Sequence, residues 1–248
     1  EAAHKPNLDF LASRGELGVM DVVRKDFIPG SGEAVLSLFG NDCDAISRGS
    51  MEAEGADIKV VRGDLALRTN FATIDDLKSK NVIDRRAGRT LTTNEAELLA
   101  RALNKNVKLP VKFVFKSTLQ HRGVLVLRGG FSDMISNTDI GYSSKGKNLQ
   151  GGKFIFTKSL DDDENSVYTS NIVNEFLMQS FEILNKHPVN LHRISKGLLP
   201  ANFFLTRGAG IEKEKINQYS KWGAGVYMAL EIGFAKLSGM QVYSFNYP

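Results

Sequence analysis

The stretch Gly63-Asp64-Leu65-Ala66-Leu67-Arg68-Thr69-Asn70-Phe71-Ala72-Thr73-Ile74-Asp75 is followed closely by Ile83-Asp84-Arg85-Arg86-Ala87-Gly88-Arg89. The two together decide how this chain is read. Asp64 to Asn70 has the make-up of a strand. The second segment sets three arginines within five residues, hinged by an Ala-Gly pair. Packing gains little from guanidinium groups so close together, because they repel one another and hold water. A doubly charged ligand gains much, since each guanidinium can grip a phosphate or carboxylate with two parallel hydrogen bonds. One charged hydrogen bond contributes about 1.5–3 kcal/mol. Two or three bring a small phosphorylated acid to roughly micromolar affinity after the entropy cost of binding. In isolation such a segment is more simply a solvated turn; read together with the stretch before it, the odds shift toward a ligand site.

Outward from this pair the chain alternates helices and strands. Leu8, Leu11 and Ala12 recur at helical spacing after Pro6, with Gly15 as a stop. A short strand is expected at Leu17 to Asp21. Pro29-Gly30 is a turn, and Ser31 sits where a helix N-cap belongs, ahead of Ala34, Val35, Leu38 and Phe39. Gly40-Asn41-Asp42 ends that helix. A helix is expected over Asn94 to Leu103, capped by Thr93 or Asn94, with Glu95 and Glu97 in its first turn. Val111 to Phe115, Val124 to Leu127, Phe203 to Thr206 and Gln241 to Phe245 read as strands. Gly141 to Lys153 reads as a mobile loop. Ile172 to Lys186 and Trp222 to Gly239 read as helices, the second packed closely through Gly223, Gly225 and Gly233. This alternation argues for α/β or α+β layers. The acidic run Asp161 to Glu164 lacks the spaced ligands of a calcium loop.

The 248 residues, 42% apolar and 24% charged, suit a globular enzyme of one or two domains. A formal charge of +4 favours anionic small molecules. The basic residues are scattered rather than striped, which argues against nucleic acid as a partner. No apolar run is long enough to span a membrane and no signal peptide opens the chain. The single cysteine, Cys43, excludes an internal disulfide and a thiolate metal cluster, and fits a cytoplasmic location. The chain starts inside a helical pattern without methionine and stops at Asn246-Tyr247-Pro248, so further material is expected on both sides.

GDLALRTNFATID and IDRRAGR together resemble the archaeal-type cofactor-independent phosphoglycerate mutases, metal-dependent members of the alkaline phosphatase superfamily. The likeness runs the length of the chain. It continues in PGSGEAVLSLFG (Pro29 to Gly40), SRGSMEAEG (Ser47 to Gly55), HRGVLVLRGGFSD (His121 to Asp133), NTD (Asn137 to Asp139), HPVNLHR (His187 to Arg193), LPANFFLTRGAG (Leu199 to Gly210) and WGAGVYMALEIGFAKLSGM (Trp222 to Met240). It implies an α/β fold: a partial phosphatase-like domain, truncated at both ends and formed by residues 1–45 and 200–248. An inserted α/β (α+β) domain, residues 46–199, interrupts it.

A serine at a helix N-terminus lies where free backbone N–H groups favour phosphate, but by itself it is more simply a cap. The resemblance makes Ser31 the nucleophile that takes up the phosphoryl group and touches a metal. Arg85, Arg86 and Arg89 are the expected anion clamp, with Asp84 orienting one guanidinium. Arg48 and Arg207, each next to glycine, are further substrate-binding candidates; each reads equally as a structural ion pair. His121 is a structural histidine at a strand edge or, on the resemblance, a substrate hydrogen-bond donor or proton shuttle. Asp139 is a general base or a hydroxyl-orienting group, or else an Asx-turn. His187 and His192 read as structural. Three positions depart from the family pattern: Gly32 where it has Asp, Ile140 where it has Pro, and Trp222 where it has Lys, with Lys221 beside it.

The resemblance implies interconversion of 2- and 3-phosphoglycerate through a phosphoserine, with two divalent metal ions (Mn, Mg, Zn or Co) and no 2,3-bisphosphoglycerate. The partner is then a small phosphorylated three-carbon acid. Apart from Ser31, the metal ligands are expected outside this stretch of chain, which alone should be inactive. A phosphohydrolase or phosphonate-processing enzyme, and a non-catalytic phosphometabolite-binding module, remain alternatives.

Overall fold

The computed structural model describes residues 3–139, 141–143, 146–147, 152–211 and 215–244. The expectations that involve Ile140, Phe245, the last three residues and much of the 141–153 loop lie outside these. Helix α1 spans Pro6–Arg14 and stops at Gly15, as its spacing implies. Its apolar residues Leu8, Phe10 and Leu11 are exposed. The strand expected at Leu17 to Asp21 does not form; no described segment pairs with it, and Leu17, Val19 and Met20 stand exposed. Helix α2, Ser31–Leu38, is capped by Gly30 rather than Ser31. The Glu33 carboxylate folds back so closely that a Cβ at Gly30 would meet its Oε2 at 2.5 Å. Ser31 is the first helical residue. Helix α3, Arg48–Gly55, is capped by Ser47, whose hydroxyl accepts from the Ser50 N–H.

Strand β1, Leu65–Ile74, is buried along its whole length. It is followed by β2 (Asn81–Asp84), α4 (Thr93–Asn106), β3 (Phe113–Ser117) and β4 (Arg122–Leu127). Thr92, one residue before the expected cap, closes a capping box with Glu95 at the start of α4. Short strands β5 (Tyr142–Ser143) and β6 (Gly146–Lys147) pair with each other, and β7 (Gly152–Lys153) pairs with β2. Helices α5 (Glu164–Asn185) and α6 (Pro188–Ser195) lead to β8, Phe203–Gly210. The main sheet runs β3-β4-β1-β2-β7, with β8 against the other side of β1. Its pairings are antiparallel, so this part of the mixed α and β fold is α+β.

Trp222 to Gly239 is not one helix. Gly223–Val226 forms β9, α7 starts at Ala229 and ends at Leu237, and β10 (Gln241–Ser244) returns parallel to β9. Two glycines within four residues cost a helix about 1 kcal/mol each, and β10 offers the segment a partner.

Alternation along β1 separates two faces. Leu65, Leu67 and Phe71 face a core completed by Phe115, Leu125 and Phe204 and by Leu99, Leu103, Val173, Phe176 and Leu177 from α4 and α5. On the other face Ala66, Val124 and Val126 pack under Ala53 of α3, its C-cap Ala56 and the neighbouring Ile58. A separate apolar cluster gathers Leu36, Ile46, Met51, Ile216, Leu230, Phe234 and Met240. Helix α3 thus lies between the sheet and α7. No described helix is long and apolar enough to cross a membrane.

Candidate anion site

The face of β1 under α3 turns polar toward its far end. Arg68 is the register partner of Val124 on β4 and of Arg207 on β8, and Asn70 is the partner of Arg122. Register partners share a face, so Arg68, Arg122 and Arg207 rise from the sheet together. Arg48 joins them because α3 comes very close: a Cβ on Gly49 would lie 2.2 Å from the Ala66 carbonyl. Glu52, one turn along α3, accepts from Arg48 Nε at 2.7 Å and from Arg68 Nε at 3.2 Å through one oxygen.

These side chains line a cavity of about 220 Å³ together with Ser31, Arg86 and His121. Pro29, Gly30 and the Met228 to Leu230 entry to α7 complete its wall. Among the described residues five guanidinium groups face one carboxylate there. Burial lowers the pKa of Arg122, with Glu52 opposing and Arg86 and Arg48 adding to the fall. His121 is 4% exposed, and its Nδ1 is buried with no hydrogen-bond partner among the described residues. Its pKa is pushed down to about 3, first by burial and then by Arg122, Arg68, Arg86 and Arg89. At neutral pH it is therefore an uncharged ring beside a cationic pocket, able to donate or accept one hydrogen bond at each nitrogen.

The structure brings Ser31, Arg48, Arg86, His121 and Arg207 together on this cavity and leaves three other candidates off its wall. Arg85 turns to the buried Asp139, donating from Nε at 3.0 Å and also from Nη2 to the same carboxylate oxygen. Asp139 Oδ1 also accepts from the Gly141 N–H, and its Oδ2 is buried without a partner among the described residues. Arg89 is exposed. Asp84 orders backbone rather than a guanidinium: its Oδ1 accepts from the N–H of Arg86 at 2.7 Å and of Gly88 at 2.8 Å. His187 caps α6 through Nδ1, a structural role. Arg68, Arg122 and Glu52 were not singled out by the sequence. A lone arginine inside the otherwise uncharged strand Leu65–Ile74, and another beside His121, were the available signals.

The lining does not suit a divalent cation. Among the described residues its one carboxylate is already shared by two guanidiniums, and the other charged groups are positive. Among the described residues, Asp42, Cys43 and Asp44 are the one cluster of ligand type, and they lie off this wall.

Fold and cavity define an α and β protein with an arginine-lined pocket at a helix N-terminus. A family model described as 2,3-bisphosphoglycerate-independent phosphoglycerate mutase matches residues 12–190, and the chain belongs to that family. A protein of that name from Methanopyrus kandleri is 40% identical over 98% of this chain and 58% of its own length. Another from Aeropyrum pernix is 40% identical over 97% of this chain and 61% of its own. The solved cofactor-independent phosphoglycerate mutase from Thermoplasma acidophilum superposes with a TM-score of 0.58 at 32% identity, over 99% of this chain and 64% of that one. The PH0037 protein of Pyrococcus horikoshii gives 0.65 at 26% identity, over 98% and 54%. The chain thus spans about three fifths of the length of such curated relatives.

Proposed function

We propose that this chain carries the substrate pocket and nucleophile of an enzyme that interconverts 2- and 3-phosphoglycerate without 2,3-bisphosphoglycerate. The observation that carries the reading is the shared cavity: Ser31 and five arginines line one small pocket, although they come from six different segments of the chain. The arginines bind the phosphate and carboxylate of a three-carbon acid. Ser31 takes up the phosphoryl group at the start of α2, where unpaired N–H groups favour its charge. The retained glycerate turns, and its other hydroxyl takes the group back. Neutral His121 can hydrogen-bond a substrate hydroxyl. Asp139, held by Arg85 off the pocket wall, orients the loop beside it, and a role as general base would need the pocket to reorganise.

The resemblance brings two divalent ions with it, but the residues lining this pocket do not fit one, so no step here passes through a metal. The two-lobe organisation is also part of the proposal. It places residues 1–45 and the C-terminal part on one side and the 46–199 insertion on the other. Two separate apolar clusters support a division, but Ile46 and Met51 pack in the one that holds Leu36 and Leu230, and the pairing of β8 with β1 favours a return to the first lobe after Gly210.

The test is labelled 3-phosphoglycerate with the protein as its source organism makes it. Wild type should retain label on Ser31 and yield 2-phosphoglycerate. Label retained by the Ser31→Ala variant removes the assignment, and release of free phosphate in place of 2-phosphoglycerate makes the enzyme a phosphohydrolase.

A further inference from the structure

The loop that carries Arg86 continues through Ala87, Gly88 and Arg89 at φ of 47°, 68° and 55°. Two of these three residues have side chains that disfavour the left-handed region, so the loop does not hold this shape unaided. Asp84 ties down two of its N–H groups. Within the loop the Arg89 N–H donates to the Arg86 carbonyl and the Thr90 hydroxyl to that of Ala87, and one residue distant in sequence adds to these.

Arg193 on α6 is 1% exposed. Its Nη2 donates to the Ala87 carbonyl at 3.4 Å and to Thr90 Oγ1 at 2.7 Å. Nη1 donates to the Thr90 carbonyl and to Glu95 Oε2, each at 3.1 Å. Nε donates to the Leu199 carbonyl at 3.0 Å. Glu95 is the capping-box residue of α4. All five N–H groups of this guanidinium are thus spent on protein acceptors, which leaves none for a ligand. The rigid fork fixes the spacing between the loop, the start of α4 and the segment after α6, a task the single ammonium of lysine cannot repeat.

We propose that Arg193 is a positioning residue for anion binding: it holds the 87–90 loop, left-handed at residues 87–89, in the shape that presents Arg86 to the Ser31 pocket. This rests on the reading of that pocket as a phosphoglycerate site.

The experiment is a double-mutant cycle on the protein as its source organism makes it, titrated with 3-phosphoglycerate by calorimetry. Arg86→Ala should weaken binding by about tenfold or more, and Arg193→Lys by a similar factor. The double variant should bind no worse than Arg86→Ala to within about twofold, because one residue acts through the other. Losses that multiply overturn the proposal, as does an Arg193→Lys variant that binds like wild type. If Arg193→Lys loses cooperative melting, the same cycle is run with Thr90→Val, which removes one acceptor at an exposed position and is judged by the same outcomes. Amide exchange at Arg86 and Gly88 should be faster in Arg193→Lys with or without ligand, and unchanged exchange also overturns the positioning role. A wild-type chain that fails to bind overturns the pocket reading instead, and the exchange result tells the two failures apart.

Discussion

Arg68 on β1 and Arg207 on β8 are register partners, buried side by side on the sheet face that forms the floor of the Ser31 pocket. Like charges directly opposed across an antiparallel pair destabilise a sheet. Glu52 offsets part of this through Arg68 Nε, but it is shared with Arg48. Both guanidiniums line the cavity, so a doubly charged anion bound there gains from the pair, and the arrangement makes sense as a binding floor. Arg207→Gln should therefore weaken 3-phosphoglycerate binding by about 10- to 100-fold, the equivalent of roughly 1.5–3 kcal/mol for one charged hydrogen bond. The rise in melting temperature on adding ligand should shrink with it. Calorimetric titration at fixed salt checks this, and an unchanged affinity would take Arg207 out of the site.

His121 gives the pocket a defined response to acid. Its folded pKa is about 3 and its ordinary value is 6.5. Between those values the unfolded chain binds a proton that the folded chain refuses. Stability from this residue is therefore complete above about pH 6.5 and is lost as pH falls toward 3, at up to about 1.4 kcal/mol per pH unit. Urea midpoints measured from pH 7 down to pH 4 should fall more steeply for wild type than for His121→Gln. Nitrogen NMR should show a neutral His121 ring at pH 5. A ring that titrates near 6.5 would mean that burial and the arginines beside it do not act as described.

Local pattern carried most of the elements and little of the site. The branched and aromatic runs at Val124 to Leu127 and Phe203 to Thr206 are strands because such side chains suit a half-buried pleat. Gly223–Val226 is strand where local pattern implies helix, because its strand state depends on β10, which comes after all of α7. The pocket is still less local. Arg85 and Arg86 are adjacent, yet one turns to Asp139 and the other to the Ser31 cavity. Three arginines in a row of five positions cannot reveal that division. Arg68 reaches the pocket only because β8 and α3 close over β1, which no spacing within Leu65–Ile74 encodes. The juxtaposition of Ser31 with Arg86 was anticipated through family likeness and not through periodicity.

Helices α3 and α7 set the height of the pocket roof, and they touch backbone to backbone. A Cβ on Gly233 would lie 1.8 Å from the Met51 carbonyl oxygen, and one on Gly55 would lie 1.7 Å from that of Ala229. Neither obstacle is a flexible side chain, so the helices themselves must part. Gly233→Ala should cost about 3 kcal/mol or more, at the upper end of overpacking effects. Gly18→Ala, where nothing lies within 4 Å of the added carbon, should stay within about 0.5 kcal/mol of wild type. Because α3 carries Arg48 and Glu52 while Met228 to Leu230 open α7, parting them also spreads the pocket wall. Gly233→Ala should therefore lower 3-phosphoglycerate affinity at temperatures where the variant is still folded. Thermal melts with and without ligand test both effects together. A variant that melts lower yet keeps full affinity would show that the α3–α7 contact supports the fold without setting the pocket.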